Sequence, residues 1–221
     1  MINLRLGDCL QVMNTIESGS IDAIITDPPY GMSFVSNRRK QVYESIKNDN
    51  DISWLKDFYF KSYNIMNKNS VIYTFCSWHN VDLFKKEFEK HFKLLNILIW
   101  EKNNTSMGDL KRSYAPKYEM CLFGIKGDVK LKSFRYPDIV KAKRTNNEIH
   151  PTQKPVDLMK FFIENSTSKD QLVLDPFMGS GSTGVACKNL NRDFIGIELD
   201  KKYFDIAKER IENHKIQESF V

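Results

Sequence analysis

Two short runs of residues carry the chemistry legible in this sequence. The first is Asp27-Pro28-Pro29-Tyr30, directly after the apolar run Ile21-Asp22-Ala23-Ile24-Ile25-Thr26. Successive prolines stiffen a chain and remove two backbone donors, so the loop presents an acid and outward carbonyls. Such a loop suits a group rich in N–H donors, and the tyrosine offers a flat face on which a base can stack, worth about 1–3 kcal/mol. These are the parts that methylation of a base amino group needs. The exocyclic nitrogen of adenine or cytosine shares its lone pair with the ring and is a poor nucleophile. Accepting its two N–H bonds, one at the Asp27 carboxylate and one at the Pro28 carbonyl, localises that lone pair and stabilises the charge that develops on attack. Asp27, Pro28, Pro29 and Tyr30 are therefore the catalytic candidates, and the chemistry requires no metal.

The second run is Asp175-Pro176-Phe177-Met178-Gly179-Ser180-Gly181-Ser182-Thr183-Gly184, which follows Gln171-Leu172-Val173-Leu174. Glycines 179, 181 and 184 satisfy G-x-G-x-x-G, and Glu198 ends the next apolar run. A dinucleotide site would share this pattern. Asp175 argues otherwise, because a carboxylate at the strand end repels a pyrophosphate and suits a cofactor carrying cationic ammonium and sulfonium groups. No lysine follows the glycines, which excludes a triphosphate-binding loop. An NAD-linked oxidoreductase stays open as an alternative that NADH binding would test. The cofactor candidates are Asp175, Pro176, Phe177, Gly179, Ser180, Gly181, Ser182 and Thr183, with Glu198 placed to accept from ribose hydroxyls.

The elements that must position these runs alternate. Apolar runs at 2–7, 21–26, 70–76, 94–101, 118–125, 171–175 and 193–198 read as strands. Helical spacing joins Leu10, Met13 and Ile16; Leu55, Phe58 and Tyr59; Leu83, Phe84 and Phe88; and Leu158, Phe161 and Phe162 after Pro155 in the first turn. A last helix starts at an Asp200 N-cap and carries Tyr203, Ile206, Ala207 and Ile211. This rhythm predicts an α/β fold with a mostly parallel, doubly wound sheet. No helical pattern separates 94–101 from 118–125, so these two should form an antiparallel hairpin at one edge.

Polar loops at 31–53, 102–117 and 126–154 break the rhythm, and loops this long in a compact domain usually carry function. Of the chain's net +5, the stretch from Lys111 to Asn147 holds +7, with ten Lys/Arg against three acids. A basic face of this kind attracts polyanions. Arg38, Arg39 and Lys40, then Lys111, Arg112, Lys141, Lys143 and Arg144, are the candidates for phosphate and base contacts. The four cysteines (Cys9, Cys76, Cys121, Cys187) lie far apart, without C-x-x-C pairs or clustered histidines, which argues against disulfides and zinc. No secretory signal or membrane-length apolar run is visible, so the expected location is the cytoplasm.

Taken together, these residues resemble the permuted, beta-class DNA amino-methyltransferases, whose catalytic motif precedes the cofactor motif. The resemblance spans most of the chain: Gly7-Asp8-Cys9-Leu10, Asp27-Pro28-Pro29-Tyr30, His150-Pro151-Thr152-Gln153-Lys154-Pro155, the loop from Asp175 to Thr183, and Glu198. It implies one methyltransferase domain over 1–221, a circularly permuted seven-stranded Rossmann-like sheet, and S-adenosylmethionine as cofactor. It also implies that Asp8 lies near the cofactor's adenine, that Cys9 beside it is a further cofactor-binding candidate, and that Thr152 and Lys154 close over the methionine end. The implied spatial order of strands is 2–7, 193–198, 171–175, 21–26, 70–76, 118–125, 94–101. The segments 102–117 and 126–149 are then inserted target-recognition segments facing double-stranded DNA. Asp rather than Ser at the head of the tetrapeptide leans toward adenine N6, with cytosine N4 as the alternative and a protein or small-molecule substrate as a weaker one. A short recognition region points to a homodimer. A cognate restriction nuclease would be a separate partner, since the chain itself carries nothing resembling a nuclease site.

Overall fold

The computed structural model describes residues 1–31, 52–105, 111–132, 135–144 and 153–215. In chain order the elements are β1 (Ile2–Leu6), α1 (Cys9–Val12) continued by a 3-10 turn (Met13–Thr15), β2 (Ile21–Thr26), α2 (Leu55–Ile65), β3 (Met66–Cys76) and α3 (Val81–Phe88). There follow β4 (Lys93–Glu101), β5 (Tyr118–Lys126), β6 (Ile139–Lys141), α4 (Val156–Ser166), β7 (Leu172–Asp175), α5 (Ser182–Asn189), β8 (Asp193–Glu198) and α6 (Lys201–Glu212). They build one mixed sheet in the order β1-β8-β7-β2-β3-β5-β4-β6.

The first seven positions of that order are the predicted ones. All pairings from β1 to β3 are parallel, and β5 runs antiparallel to both β3 and β4. The expectation of seven strands needs correction. An eighth, β6, pairs parallel with β4 through Ile99↔Ile139 and Glu101↔Lys141, so the hairpin is not the edge. Only three residues pair, Ile139-Val140-Lys141, too few to show a period amid basic residues. β3 also begins at Met66 rather than near residue 70, because exposed Asn67, Lys68 and Asn69 mask the apolar signal there.

Period-two alternation explains the two buried layers. Ala23, Ile25, Val71, Tyr73 and Phe75 face α4, α5 and α6, where Met159, Phe162, Val185, Ala207 and Ile211 meet them. Ile24, Ile72 and Cys76 face the other way, against Met13, Leu55, Phe58, Phe84 and Phe88. Of the residues placed on inner helix faces, Leu83 is instead exposed. Phe162 stacks on Tyr73 (centroids 4.7 Å apart), which stacks on Phe123 at the same distance. Aromatic pairs of this kind add about 0.5–1.5 kcal/mol beyond their buried area. Asp200 caps α6 as expected, accepting from the Lys202 and Tyr203 backbone N–H groups. Pro155 stands one residue outside α4, as its cap, rather than in its first turn.

This topology decides where chemistry can occur. The carboxyl ends of β1, β8, β7, β2, β3, β4 and β6 and the start of β5 all lie along one edge of the sheet. Both candidate runs leave the sheet at that edge.

Candidate active site

Asp27 and Asp175 sit at the ends of adjacent strands, because β2 pairs with β7 through Ala23↔Val173 and Ile24↔Leu174. A cleft opens between them, lined by Asp27, Lys154, Asp175, Phe177, Gly179 and Ser180 among others. The two halves touch directly: the Thr26 hydroxyl donates to Asp175 Oδ1 at 2.8 Å.

On the cofactor side, each acid is satisfied by neutral donors. Asp175 is buried and also accepts from the Thr183 hydroxyl at 2.6 Å and the Phe177 backbone N–H at 3.2 Å. Burial pushes its carboxyl up to about 6, against the pull of those donors. Glu198 accepts from Gly179 N at 2.9 Å and from Asp200 N at 2.8 Å, and burial likewise raises it. The loop between them turns at Gly181, whose φ of +80° favours glycine, just before α5. Gly184 lets α5 approach α6, since a Cβ there would stand 2.4 Å from Ile211. The Arg210 guanidinium reaches over from α6 to the Ser180 carbonyl at 2.9 Å and the Ser182 hydroxyl at 3.2 Å.

Asp8 and Cys9 join this side at the far end. Leu6 pairs with Glu198, the Gly7 N–H donates to the Glu198 carbonyl, and Asp8 caps α1 through Gln11 N at 3.1 Å. Cys9 is buried, and burial together with the Asp8 charge pushes its thiol up to about 12. All four cysteines are free and buried.

On the catalytic side, the compensation is ionic. Asp27 accepts from the Tyr30 hydroxyl at one oxygen and from the Lys154 ammonium at the other. Lys154 is 6% exposed and also meets Glu119 Oε2 at 2.9 Å, while Glu119 Oε1 meets Lys102 at 2.7 Å. Burial raises the Asp27 carboxyl, Lys154 opposes this, and Glu119 reinforces it; the net direction is upward. Burial opposes the charge on Lys154 too, but the two carboxylates outweigh it and hold the ammonium protonated. Burial would lift Glu119 as well, yet Lys154 and Lys102 bring it down to about 2.

Tyr30 is half-buried rather than a free face, with its ring edge-on to Phe84 at 6.5 Å and its carbonyl accepting from Asn80 at 2.5 Å. Lys154, expected at the cofactor's methionine end, lines the cavity but commits its ammonium to Asp27 and Glu119. Its backbone carbonyl is what meets the cofactor loop, accepting from the Ser182 hydroxyl at 2.8 Å. Thr152, Arg38, Arg39 and Lys40 lie outside the described residues. Lys111, Arg112, Lys141 and Lys143 are exposed, while Arg144 is partly covered. Lys141 stands 3.8 Å from Glu101, and the Arg144 N–H donates to Asn103 at 2.8 Å, so the segment after β6 is laid along the site edge.

Sequence reasoning missed Glu119, Lys102, Thr26 and Arg210. For Glu119 a signal existed: it is an acid inside the apolar run of β5, where only a charge with a partner is tolerated. For Arg210, on a helix rich in charge, no signal existed.

The DNA methylase family matches residues 21–209, a span that includes both candidate runs. The chain belongs to that family. Among DNA methylase relatives, it is 34% identical to the putative methylase YubD of Escherichia coli strain K12, covering 93% of this chain and 88% of that protein. The type II methyltransferase M2.MboI of Moraxella bovis is 31% identical over 94% of this chain and 86% of its own. Among solved structures, the M1.HpyAVI–SAM complex superposes with a TM-score of 0.74 at 32% identity, over 95% of this chain and 100% of that one. The PvuII cytosine-N4-specific DNA methyltransferase superposes at 0.79 with 17% identity, over 99% and 88%, which speaks for the fold alone. DNA is accordingly the substrate of this methylase, and no helix among the described residues is long and apolar enough to cross a membrane.

Proposed function

We propose that this DNA methylase transfers a methyl group to the exocyclic N6 of a flipped-out adenine in double-stranded DNA, with S-adenosylmethionine as donor. The observation that carries the reading is the cavity with Asp27 on one wall and Asp175 on the other, at the ends of neighbouring strands. Its chemistry fits the donor. Asp175 accepts from three neutral donors, two at Oδ1 and one at Oδ2, and Glu198 from one at each oxygen, which leaves carboxylate charge and further lone pairs for an ammonium and ribose hydroxyls. Asp8 and Cys9, beside Glu198, mark the adenine end. When bound, S-adenosylmethionine supplies a methyl group made electrophilic by its sulfonium.

The chain's own residues do the rest. Asp27 and the Pro28 carbonyl accept the amine's two N–H bonds and favour a pyramidal nitrogen with a localised lone pair. Tyr30 and Lys154 each take one Asp27 oxygen, so the carboxylate stands fixed before the amine arrives. Neighbouring strand ends set the distance between the two walls, and such preorganisation supplies much of a transfer's rate. Flipping the base from the duplex costs a few kcal/mol. The basic residues Lys111, Arg112, Lys141, Lys143 and Arg144 supply phosphate contacts from the same edge, and Arg38, Arg39 and Lys40 extend that set. In this reading 1–221 is one methyltransferase domain, 102–117 and 126–149 recognise the target, and the protein works in the cytoplasm as a homodimer, alongside a cognate restriction nuclease where one exists.

Cytosine N4 is the second reading, because that exocyclic amine would offer the Asp27 carboxylate and the Pro28 carbonyl the same two N–H bonds. Asp at the head of the tetrapeptide favours adenine. The test incubates protein with S-adenosylmethionine and unmethylated genomic DNA, then identifies methylated nucleosides by mass spectrometry beside Asp27→Ala. N6-methyladenine, absent from the variant, is expected. N4-methylcytosine would transfer the conclusion to the second reading, and neither product would overturn both. Sedimentation as a monomer with and without DNA would remove the homodimer.

A further inference from the structure

Glu119 lies outside both chemical runs, yet it is the second acid of the catalytic corner. It stands in β5 opposite Trp100 and at the carboxyl-end edge of the sheet. Lys102, Glu119, Lys154 and Asp27 follow one another as cation, anion, cation, anion. The ammonium at the centre is thus shared by two carboxylates, and the Lys154 main chain is tied to Ser182 of the cofactor loop.

We propose that Glu119 is a positioning residue of the methyl transfer: acting through Lys154, it fixes the Asp27 carboxylate and draws off enough of the ammonium's field to leave Asp27 basic. The inference rests on the reading of Asp27 given above. In the transfer, the amine lone pair forms the N–C bond while the C–S pair stays on sulfur. The nitrogen then carries an extra proton and a positive charge. Asp27 takes that proton at a lone pair left free by Tyr30 and Lys154, and passes it to solvent afterwards. With Lys154 bound to Asp27 alone, the carboxylate would be too weak a base. With Lys154 absent, its desolvated carboxylate would be protonated too readily. Glu119 sets the balance between these limits.

Among the described residues, the titratable groups facing Asp27 are Tyr30 beyond β2, Cys76 at the end of β3, Glu119 and Cys121 on β5, Lys154 before α4 and Asp175 on β7. Glu119 pushes the Asp27 carboxyl up, and Lys154 pulls it down. Removing the Glu119 charge should therefore move Asp27 toward lower pH. The same change strands Lys102 without its carboxylate, which a second substitution corrects.

The experiment compares the full chain with Glu119→Gln, Glu119→Asp and Lys102→Met/Glu119→Gln. Carbon-13 carboxylate resonances are titrated without cofactor, Asp27 being assigned through Asp27→Asn. Glu119→Gln is expected to lower the Asp27 midpoint by about one pH unit. It should also slow single-turnover transfer about tenfold or more, within the range of general-base effects. S-adenosylmethionine and DNA affinity should stay within about twofold, and the acid limb of the pH–rate profile should move down with the midpoint. Glu119→Asp should recover part of both effects. An unchanged midpoint and rate in Glu119→Gln would overturn the proposal. If that variant fails to fold, an unchanged midpoint and rate in the charge-balanced double variant would overturn it instead. A wild-type protein that methylates no amino group would defeat the reading of Asp27 and this inference with it, whereas an active wild type with an unchanged variant would defeat the inference alone.

Discussion

The two walls of the cavity bury their acids by different means. On the cofactor wall, hydroxyls and backbone N–H groups satisfy Asp175 and Glu198, and no cation among the described residues intervenes. On the catalytic wall, a buried lysine lies between Asp27 and Glu119. Neutral donors leave a carboxylate's charge undiminished for a cationic ligand, which is what a binding wall needs. An ion pair holds a carboxylate still and regulates its basicity, which is what a reacting wall needs.

The sharpest break of this contrast is Asp27→Ala. It should lower single-turnover methylation by about 10³-fold or more, as loss of a preorganised transition-state partner does. S-adenosylmethionine affinity, measured by calorimetry, should barely change. Lys154→Met comes next, because it leaves two partly buried carboxylates facing each other. A stability loss of about 3–5 kcal/mol is expected from denaturant unfolding at neutral pH, shrinking as the pH falls and the carboxylates are protonated.

Asp175→Asn should do the reverse of Asp27→Ala, weakening S-adenosylmethionine by about 1.5–3 kcal/mol, the worth of a hydrogen bond to a charged group. Its stability effect has a sign of its own. The folded carboxyl is raised from 3.8 to about 6, so the stability it contributes is complete below about pH 4 and lost as the pH rises through 6. Wild-type protein should therefore lose about 3 kcal/mol over that window that the asparagine variant does not lose. Equal pH profiles in the two proteins would erase the distinction between the walls. The smallest effect belongs to Lys143→Ala, which should weaken DNA binding a few-fold on any sequence and lower the salt slope by about one.

Much of this is legible in the residues themselves. Apolar runs mark seven of the eight strands, and their order follows once the two chemical runs are matched to a permuted sheet. β6 escapes because Ile139-Val140-Lys141 is shorter than any period can reveal. The ends of the site are equally plain, since Asp27 and Asp175 each terminate an apolar run. What joins them is not. Glu119 and Lys154 are 35 residues apart with most of a basic segment between, and only the pairing of β5 with β3 brings the acid to the catalytic edge. The neighbours of Lys154 in sequence point to the cofactor, and its main chain does meet the cofactor loop. Its side chain turns the other way, toward the charges that burial makes strongest.

The adjacency of β2 and β7 has a consequence for how the protein is made. Asp27 leaves the ribosome nearly 150 residues before Asp175, and at about 5–20 residues per second that interval is on the order of ten seconds. Until β7 and β8 arrive, β2 has an apolar flank with no neighbour strand on that side, while β3, β4 and β5 can already pair beside it. The nascent chain therefore carries an open sheet edge through most of its synthesis, and the slot that β7 fills is where a chaperone or a second nascent chain would first gain a hold.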